Sequence, residues 1–297
     1  MRVPEPLRAG DRVAVVAPSS PFPRAQTLGG VAWLAQRYRL SMRSDAFSRT
    51  GYLAGDDERR AGELASAMLD PDVRAIFVAR GGYGATRIVA RLPWDDFAKA
   101  PKWIVGFSDV TALHCAAIAR GIACVHACNV GGLGARFPGA VAARASLMAS
   151  IERPSAGHAW RALRAVNRIG DARGVLFGGN LALLCAMAAA KQLVVPDGAI
   201  VLLEDVTERP YRIDRMFTSL FEGDYFARAR AIVFGDFSQC DPGPDGVTVD
   251  EVIEGWAEAL PIPVFAGAPF GHGDRNEAFT LGASGEIEGG ALRWSGT

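Results

Sequence analysis

Residues 103–111 read W-I-V-G-F-S-D-V-T. The first four are the composition of a short buried strand, and the A-L-H-C-A-A-I-A that follows at residues 112–119 is helical. A strand that turns directly into a helix is the building step of a parallel sheet. Ser108 stands at the junction, where two readings compete. It can cap the helix, as Asp109 also could. It can also be a nucleophile on a sharp elbow, which pushes the hydroxyl into a cleft while the helix N-terminal amides face the same space. The second glycine of the usual G-x-S-x-G elbow is absent, and Val110 stands in its place.

The same strand-then-helix order recurs along the chain. R-V-A-V-V-A (residues 12–17) is a β-branched run that ends at P-S-S-P, and residues 24–38 carry apolar positions at helical spacing. A loop with Gly51 and Gly55 leads to a helix over about 57–68 and a strand over 75–79. Alternating strands and helices predict a parallel sheet with right-handed crossovers and helices on both faces, a Rossmann-like or flavodoxin-like α/β unit. Between about residues 141 and 170 the composition changes, and S-I-E-R-P-S-A-G-H-A-W-R reads as a linker leading to a small surface hairpin. Beyond it strands are expected at 172–177, 199–203, 231–234 and 264–266, with one helix at about 181–191. The tail from Ala278 alternates apolar and polar residues between glycine turns, as an antiparallel edge or hairpin does. The expected division is an α/β domain over 1–150, a linker over 151–170 and a strand-rich α+β domain over 171–297.

Composition narrows the function classes. The chain has 297 residues, enough for two domains. Thirty-two Lys and Arg balance thirty-two Asp and Glu, so no broad field attracts nucleic-acid phosphates or an anionic membrane. Five cysteines, 115, 124, 128, 185 and 240, are odd in number and lie in apolar surroundings, which fits reduced thiols. The opening M-R-V-P-E-P-L-R-A-G-D has no apolar core of signal-peptide length. The longest apolar run, residues 181–190, is half a membrane span. The expectation is a soluble cytoplasmic protein with no nucleic-acid or membrane partner.

Three further stretches carry candidate chemistry. A-R-G-G-Y-G-A-T (79–86) follows a strand and opens a helix, and its glycines let backbone amides approach an anion or oxyanion. It lacks both the dinucleotide-binding spacing and the Lys-Ser/Thr of a phosphate loop. A plain strand-to-helix turn is its simpler reading. The run A-I-V-L-L-E-D-V-T-E-R-P-Y-R-I-D-R-M (199–216) ends a buried strand in Glu204 and Asp205, with Glu208 close behind. Any of the three could orient a histidine at the carboxyl end of a sheet. Its arginines and Asp214 read instead as a surface ion-pair network. Among four histidines (114, 126, 158, 272), His272 alone combines a strand-exit loop with flanking glycines. C-V-H-A-C (124–128) has no second ligand pair at a zinc-like distance, so no metal is expected. No cysteine has the cationic or helix-terminal setting that would lower its pKa.

Taken together, R-G-G-Y-G-A-T-R-I, V-G-F-S-D-V-T-A-L-H, F-G-G-N-L-A-L-L, L-L-E-D-V-T-E-R-P-Y-R-I-D-R and F-G-H-G resemble, in order and across nearly the whole chain, the LD-carboxypeptidases. That serine peptidase family includes muramoyltetrapeptide carboxypeptidase and the microcin C self-immunity proteins. The resemblance implies Ser108 as nucleophile, Glu204 and His272 as its partners, and an oxyanion hole from the backbone amides of Asp109 and Gly82. It assigns Arg80, Tyr83 and Asn180 to substrate binding. The H-A-C after Val125 departs from the H-G-P of many members, in a block that contributes to the cleft wall.

By that resemblance the activity is removal of a C-terminal D-residue, D-alanine, from murein tetrapeptide in peptidoglycan recycling, with a small peptide as the only partner, no cofactor, and a homodimer allowed. The order Ser, Glu, His is that of hydrolase triads. Arg80, Arg209 and Arg212 are candidates for the substrate carboxylate. Two other readings stand beside this one. An immunity-type hydrolase of peptidyl nucleotides would want an aromatic surface such as Trp160 or Phe177. A non-catalytic α/β ligand-binding protein would keep the glycine turns without bringing Ser108, Glu204 and His272 together.

Overall fold

The computed structural model describes residues 1–167 and 170–296. Residues 168 and 169, in the expected linker, and residue 297 lie outside the described residues. The first sheet begins with β1 (Arg12–Val16), α1 (Arg24–Ala35), β2 (Arg39–Met42), α2 (Asp57–Leu69) and β3 (Val73–Val78). Next come α3 (Ala85–Ile88), α4 (Trp94–Phe97), β4 (Trp103–Gly106), α5 (Thr111–Ile118) and β5 (Cys124–His126), then α6 (Val130–Leu133) and α7 (Ala140–Glu152). The strands lie in the order β5-β4-β3-β1-β2, all parallel.

The pattern of β1 explains why both faces are covered. Val13 and Val15 enter a core with Leu34 of α1 and Leu147 of α7, while Ala14 and Val16 enter another with Leu64 of α2 and Leu113 of α5. A strand buried on both faces has no polar position to spare, so it reads as a continuous apolar run. α2 starts where Asp56 accepts from the Arg59 amide, with Asp57 and Glu58 in its first turn to complement the helix dipole.

The second sheet is built from β6 (His158–Trp160), β7 (Arg164–Ala165), β8 (Ala172–Asn180), α8 (Leu181–Ala189), β9 (Ala199–Val206) and α9 (Pro210–Glu222). It continues through β10 (Ala231–Ser238), α10 (Val249–Ala259), β11 (Val264–Ala266), β13 (Ser284–Glu288) and β14 (Ala291–Ser295), while β12 (Phe279–Leu281), which lies between β11 and β13 in the chain, belongs to the first sheet. Its order is β6-β14-β13-β8-β9-β10-β11-β7, with β8 to β11 parallel. The core between α2, α5 and the first sheet continues without a break into the second sheet. Among the described residues no helix is long and apolar enough to cross a membrane.

The structure differs from the sequence reading in three places. Residues 140–152 form α7, and among the described residues after it β6 and β7 do not pair with each other as a hairpin would: β6 pairs with β14 and β7 with β11, at opposite edges of the sheet. Because only three residues separate them, a reach of roughly 14 Å, the sheet curls until its edges nearly meet. Two more helices, α9 and α10, cross between the parallel strands of the second half. The tail is indeed antiparallel, but only β13 and β14 form a hairpin; β12 pairs with β5 as an edge of the first sheet.

Candidate active site

β4 delivers the elbow. Its last residue, Gly106, has no room for a side chain, since a Cβ there would fall 2.7 Å from Asn129 Oδ1 and 2.8 Å from Val110. Asn129 uses that closeness: Oδ1 accepts the Phe107 amide at 3.2 Å and Nδ2 donates to the Phe107 carbonyl at 3.5 Å. Thus Asn129, which precedes α6 and does not cap it with its side chain, spends its amide group on the neighbouring strand exit. With Phe107 held, the chain turns through Ser108 at φ +66°. For a non-glycine residue this left-handed conformation costs about 1–2 kcal/mol, and such strain gathers where function needs it.

The R-G-G-Y-G turn lies against the elbow. A Cβ on Gly81 would stand 2.8 Å from Ser108 Cβ, 3.0 Å from its Oγ and 3.3 Å from the Asp109 amide nitrogen. The turn therefore passes at van der Waals distance only because Gly81 has no side chain. Gly82 follows at φ +100°, exposed to the cleft.

β9 and the loop after β11 supply the acid and the imidazole. Glu204, fully buried near the end of β9, places Oε2 2.6 Å from His272 Nδ1. Burial pulls the His272 pKa down, but the Glu204 hydrogen bond and charge outweigh it and leave the pKa raised above the usual histidine value. That contact leaves Nε2 as the free ring nitrogen. His272 also packs against Phe107, with the rings tilted by 46° and their centroids 4.7 Å apart. Ser108, His272, Arg80, Gly81, Gly82 and Phe107 line one cleft of about 460 Å³. Among the described residues Ser108 Oγ makes no direct hydrogen bond to His272, as is common in hydrolases without bound substrate.

The other acids have different tasks. Asp205 accepts from Asn180 Nδ2 and from the Ala182 and Val206 amides. Burial, with the Glu204 charge second, pushes its carboxyl up to about 6. Glu208 pairs with Arg212 at 2.5 Å, and Asp214 accepts from Trp256 Nε1 at 2.8 Å.

Several expected binding residues lie elsewhere. Asn180 is buried and committed: its Oδ1 caps α8 at Leu183, its Nδ2 holds Asp205, and its amide donates to Thr111 Oγ1. Tyr83 stands outside the cleft lining, half exposed, with its ring 5.8 Å from Tyr52. Arg209 donates to the carbonyls of Asp241 and Pro242, so of the three candidate arginines only Arg80 lines the cleft. Trp160 and Phe177 are core residues, 3% and 1% exposed, and offer no surface for a base. His126 of the C-V-H-A-C block packs flat on Phe279, and the cleft wall is made by Asn129, Gly131 and Gly132 beyond it. The sequence reading missed Asn129, whose only signal was its place at the exit of the strand beside β4.

Larger depressions of about 560 and 700 Å³ exist elsewhere on the surface, but neither is lined by Ser108, Glu204 or His272. Residues 13–127 match the family model for the LD-carboxypeptidase N-terminal domain, and residues 173–287 the model for its C-terminal domain. A protein of Synechocystis sp. is 35% identical over 294 residues, covering 97% of this chain and 95% of its own length. The murein tetrapeptide carboxypeptidase of Pseudomonas aeruginosa is 32% identical, covering 95% of each chain. Among solved structures, the muramoyltetrapeptide carboxypeptidase of Oxalobacter formigenes superposes with a TM-score of 0.85 at 26% identity, over 95% of this chain and 97% of that one. The microcin C7 self-immunity protein MccF superposes with a TM-score of 0.90 at 20% identity, over 100% and 99%, a likeness of fold.

Proposed function

The chain belongs to the LD-carboxypeptidase family, and from that footing we propose that it is a serine carboxypeptidase that removes a C-terminal D-residue from murein tetrapeptide. Its setting would be the cytoplasmic recycling of cell-wall peptides. The observation that carries the reading is the 2.6 Å contact between Glu204 and His272 at the cleft that Ser108 enters on a strained elbow. A non-catalytic binding protein has no need of that convergence.

In this mechanism His272 Nε2 takes the Ser108 proton as Oγ attacks the scissile carbonyl. Glu204 holds Nδ1–H, fixes the tautomer and stabilises the imidazolium that forms. The amides of Asp109 and Gly82 receive the developing oxyanion. His272 then gives its proton to the leaving amine, the D-residue departs, and water admitted by the same base releases the acyl group from Ser108. Arg80, one guanidinium nitrogen of which already donates to the Pro21 carbonyl at 2.6 Å, offers its remaining N–H groups to the substrate's terminal carboxylate.

The test is release of D-alanine from an L-lysyl- or meso-diaminopimelyl-D-alanine tetrapeptide by the protein and its Ser108→Ala variant. Activity in the native chain and none above background in the variant is expected. Undiminished activity in the variant would overturn the triad. A peptidyl-nucleotide substrate is the second reading, motivated by the MccF-like fold. The buried positions of Trp160 and Phe177 remove the aromatic platforms proposed for it, and turnover of the two substrates side by side decides.

A further inference from the structure

Resting on the catalytic reading of Ser108, we propose that the Asp109 side chain, and not its amide alone, sets the oxyanion site, by holding the turn that carries Gly82 at a fixed distance from the elbow.

The turn cannot hold itself. Three of its residues, 81, 82 and 84, are glycines, so its own backbone resists little. It leaves the first sheet at Ala79, whose amide donates to the Val16 carbonyl at 2.8 Å. Midway, Ser20 receives the Tyr83 amide at 3.1 Å and donates its own amide to the Gly81 carbonyl at 3.2 Å. Its far end is the start of α3. There the residue in the capping position is Gly84, which has no side chain to satisfy the first helical amide. Asp109 does so from the elbow: Oδ2 accepts the Ala85 amide at 2.7 Å, with Asp109 wholly buried. Beside it the fully buried Arg60 donates to the Gly84 carbonyl at 2.8 Å.

Of these ties, only Asp109 joins the turn to the elbow itself. One donor to the oxyanion is the Asp109 amide; the other sits in a segment anchored by the same residue's carboxylate. The spacing between the two donors is therefore fixed through one rigid side chain. Asp109 is in this respect a positioning residue, and its length matters more than its charge.

Three variants separate this role from simple helix capping. Asp109→Glu keeps the charge and moves the carboxylate outward by a methylene; Asp109→Asn keeps the length and an acceptor oxygen; Asp109→Ala removes both. Measured on the tetrapeptide, Asp109→Glu and Asp109→Ala are expected to lose about 10²–10³ in kcat, the scale of one lost oxyanion donor, with KM within about threefold of the native value. Asp109→Asn is expected to retain at least ten times more kcat than either, on the order of the difference between a made and an unmade tie. Affinity for a peptide aldehyde, whose adduct with Ser108 carries the oxyanion, should fall in parallel with kcat. A folded Asp109→Glu with native kcat overturns the proposal. So does an equal loss in Asp109→Asn and Asp109→Glu that follows thermal midpoint rather than aldehyde affinity. If Asp109→Ala does not fold, the Glu and Asn variants decide alone. The catalytic reading fails separately, if Ser108→Ala still releases D-alanine at the native rate.

Discussion

Glu204 Oε2 meets His272 Nδ1 at 2.6 Å, the carboxylate fully buried and the imidazole side chain 18% exposed. The pair sets a pH dependence with a definite sign. The base must be neutral imidazole, and Glu204 raises the His272 pKa against the pull of burial. The acid limb of kcat/KM should therefore lie above the ordinary histidine value, with activity rising as pH climbs through it. Glu204→Gln removes the two largest raising influences and leaves only the Asp205 charge to oppose burial. Its limb should move to lower pH while kcat falls by something on the order of 10⁴, the loss typical of a triad whose acid becomes an amide. A pH–rate profile of the two proteins checks this, and a limb that does not move in the variant would exclude His272 as the base.

Gly81→Ala should be severe for catalysis and should also cost some stability, because the turn or the elbow must shift to admit the methyl. The new methyl would stand 2.8 Å from Ser108 Cβ and 3.3 Å from the Asp109 amide nitrogen. It fills the space where the oxyanion must lie. The expected cost is about 10²–10³ in kcat, as for a lost oxyanion donor. Circular dichroism and D-alanine release on the same preparation make the comparison.

Two histidines outside the site predict acid lability. His114 and His126 are buried with no hydrogen-bond partner for their ring nitrogens among the described residues. Burial holds His114 at about 3 and, with the charges of His114 and His272 adding to burial, keeps His126 well below the usual value. Both stay neutral when folded yet gain a proton near pH 6.5 when unfolded. Their contribution to stability is complete above about pH 6.5 and is lost as pH falls below it, because the unfolded chain then binds more protons. His126 sits between Phe279, Phe270 and Phe107. His126→Phe should flatten the fall of the thermal midpoint between about pH 6.5 and 4, while at neutral pH it costs what it takes to fit a larger ring into a closed cluster. An unchanged pH slope would show that other groups govern acid unfolding.

What the sequence disclosed was whatever is encoded locally. β1 and β4 announce themselves because both faces of each are buried, and the elbow shows as a strand, one turn and a helix. α9 was hidden by its own surface: R-P-Y-R-I-D-R suggests ion pairing, while Ile213, Phe217 and Leu220, spaced four and three apart, form the buried stripe that makes it a helix. The partners of β6, β7 and β12 are chosen by sequence-distant edges, so no local pattern could name them. In the site, Ser108, Glu204 and His272 were legible as strand exits. For Asn180 a G-G-N motif marks a tight approach without saying whether its side chain faces ligand or neighbour, and here that side chain bonds Leu183 and Asp205 while its backbone amide donates to Thr111. Asn129 was invisible because its task, bonding the Phe107 backbone, leaves no trace in its own neighbourhood.

The elbow itself offers a test of strain that is independent of turnover. Ser108 is held at φ +66°, where a Cβ crowds the following carbonyl and glycine suffers no such penalty. Asn129 maintains that conformation through both polar atoms of Phe107. Ser108→Ala keeps the strain and loses the hydroxyl; Ser108→Gly loses both. Both variants should be inactive, so activity cannot distinguish them, but their stabilities should. The glycine variant should be more stable than the alanine variant by about 1 kcal/mol, the left-handed penalty less the greater entropy of unfolded glycine. Denaturant unfolding of the two, compared at equal m-value, measures the difference directly. An alanine variant as stable as the glycine one would mean that the elbow relaxes once the hydroxyl is gone, so that the strain belongs to the serine's contacts and not to the backbone that presents it.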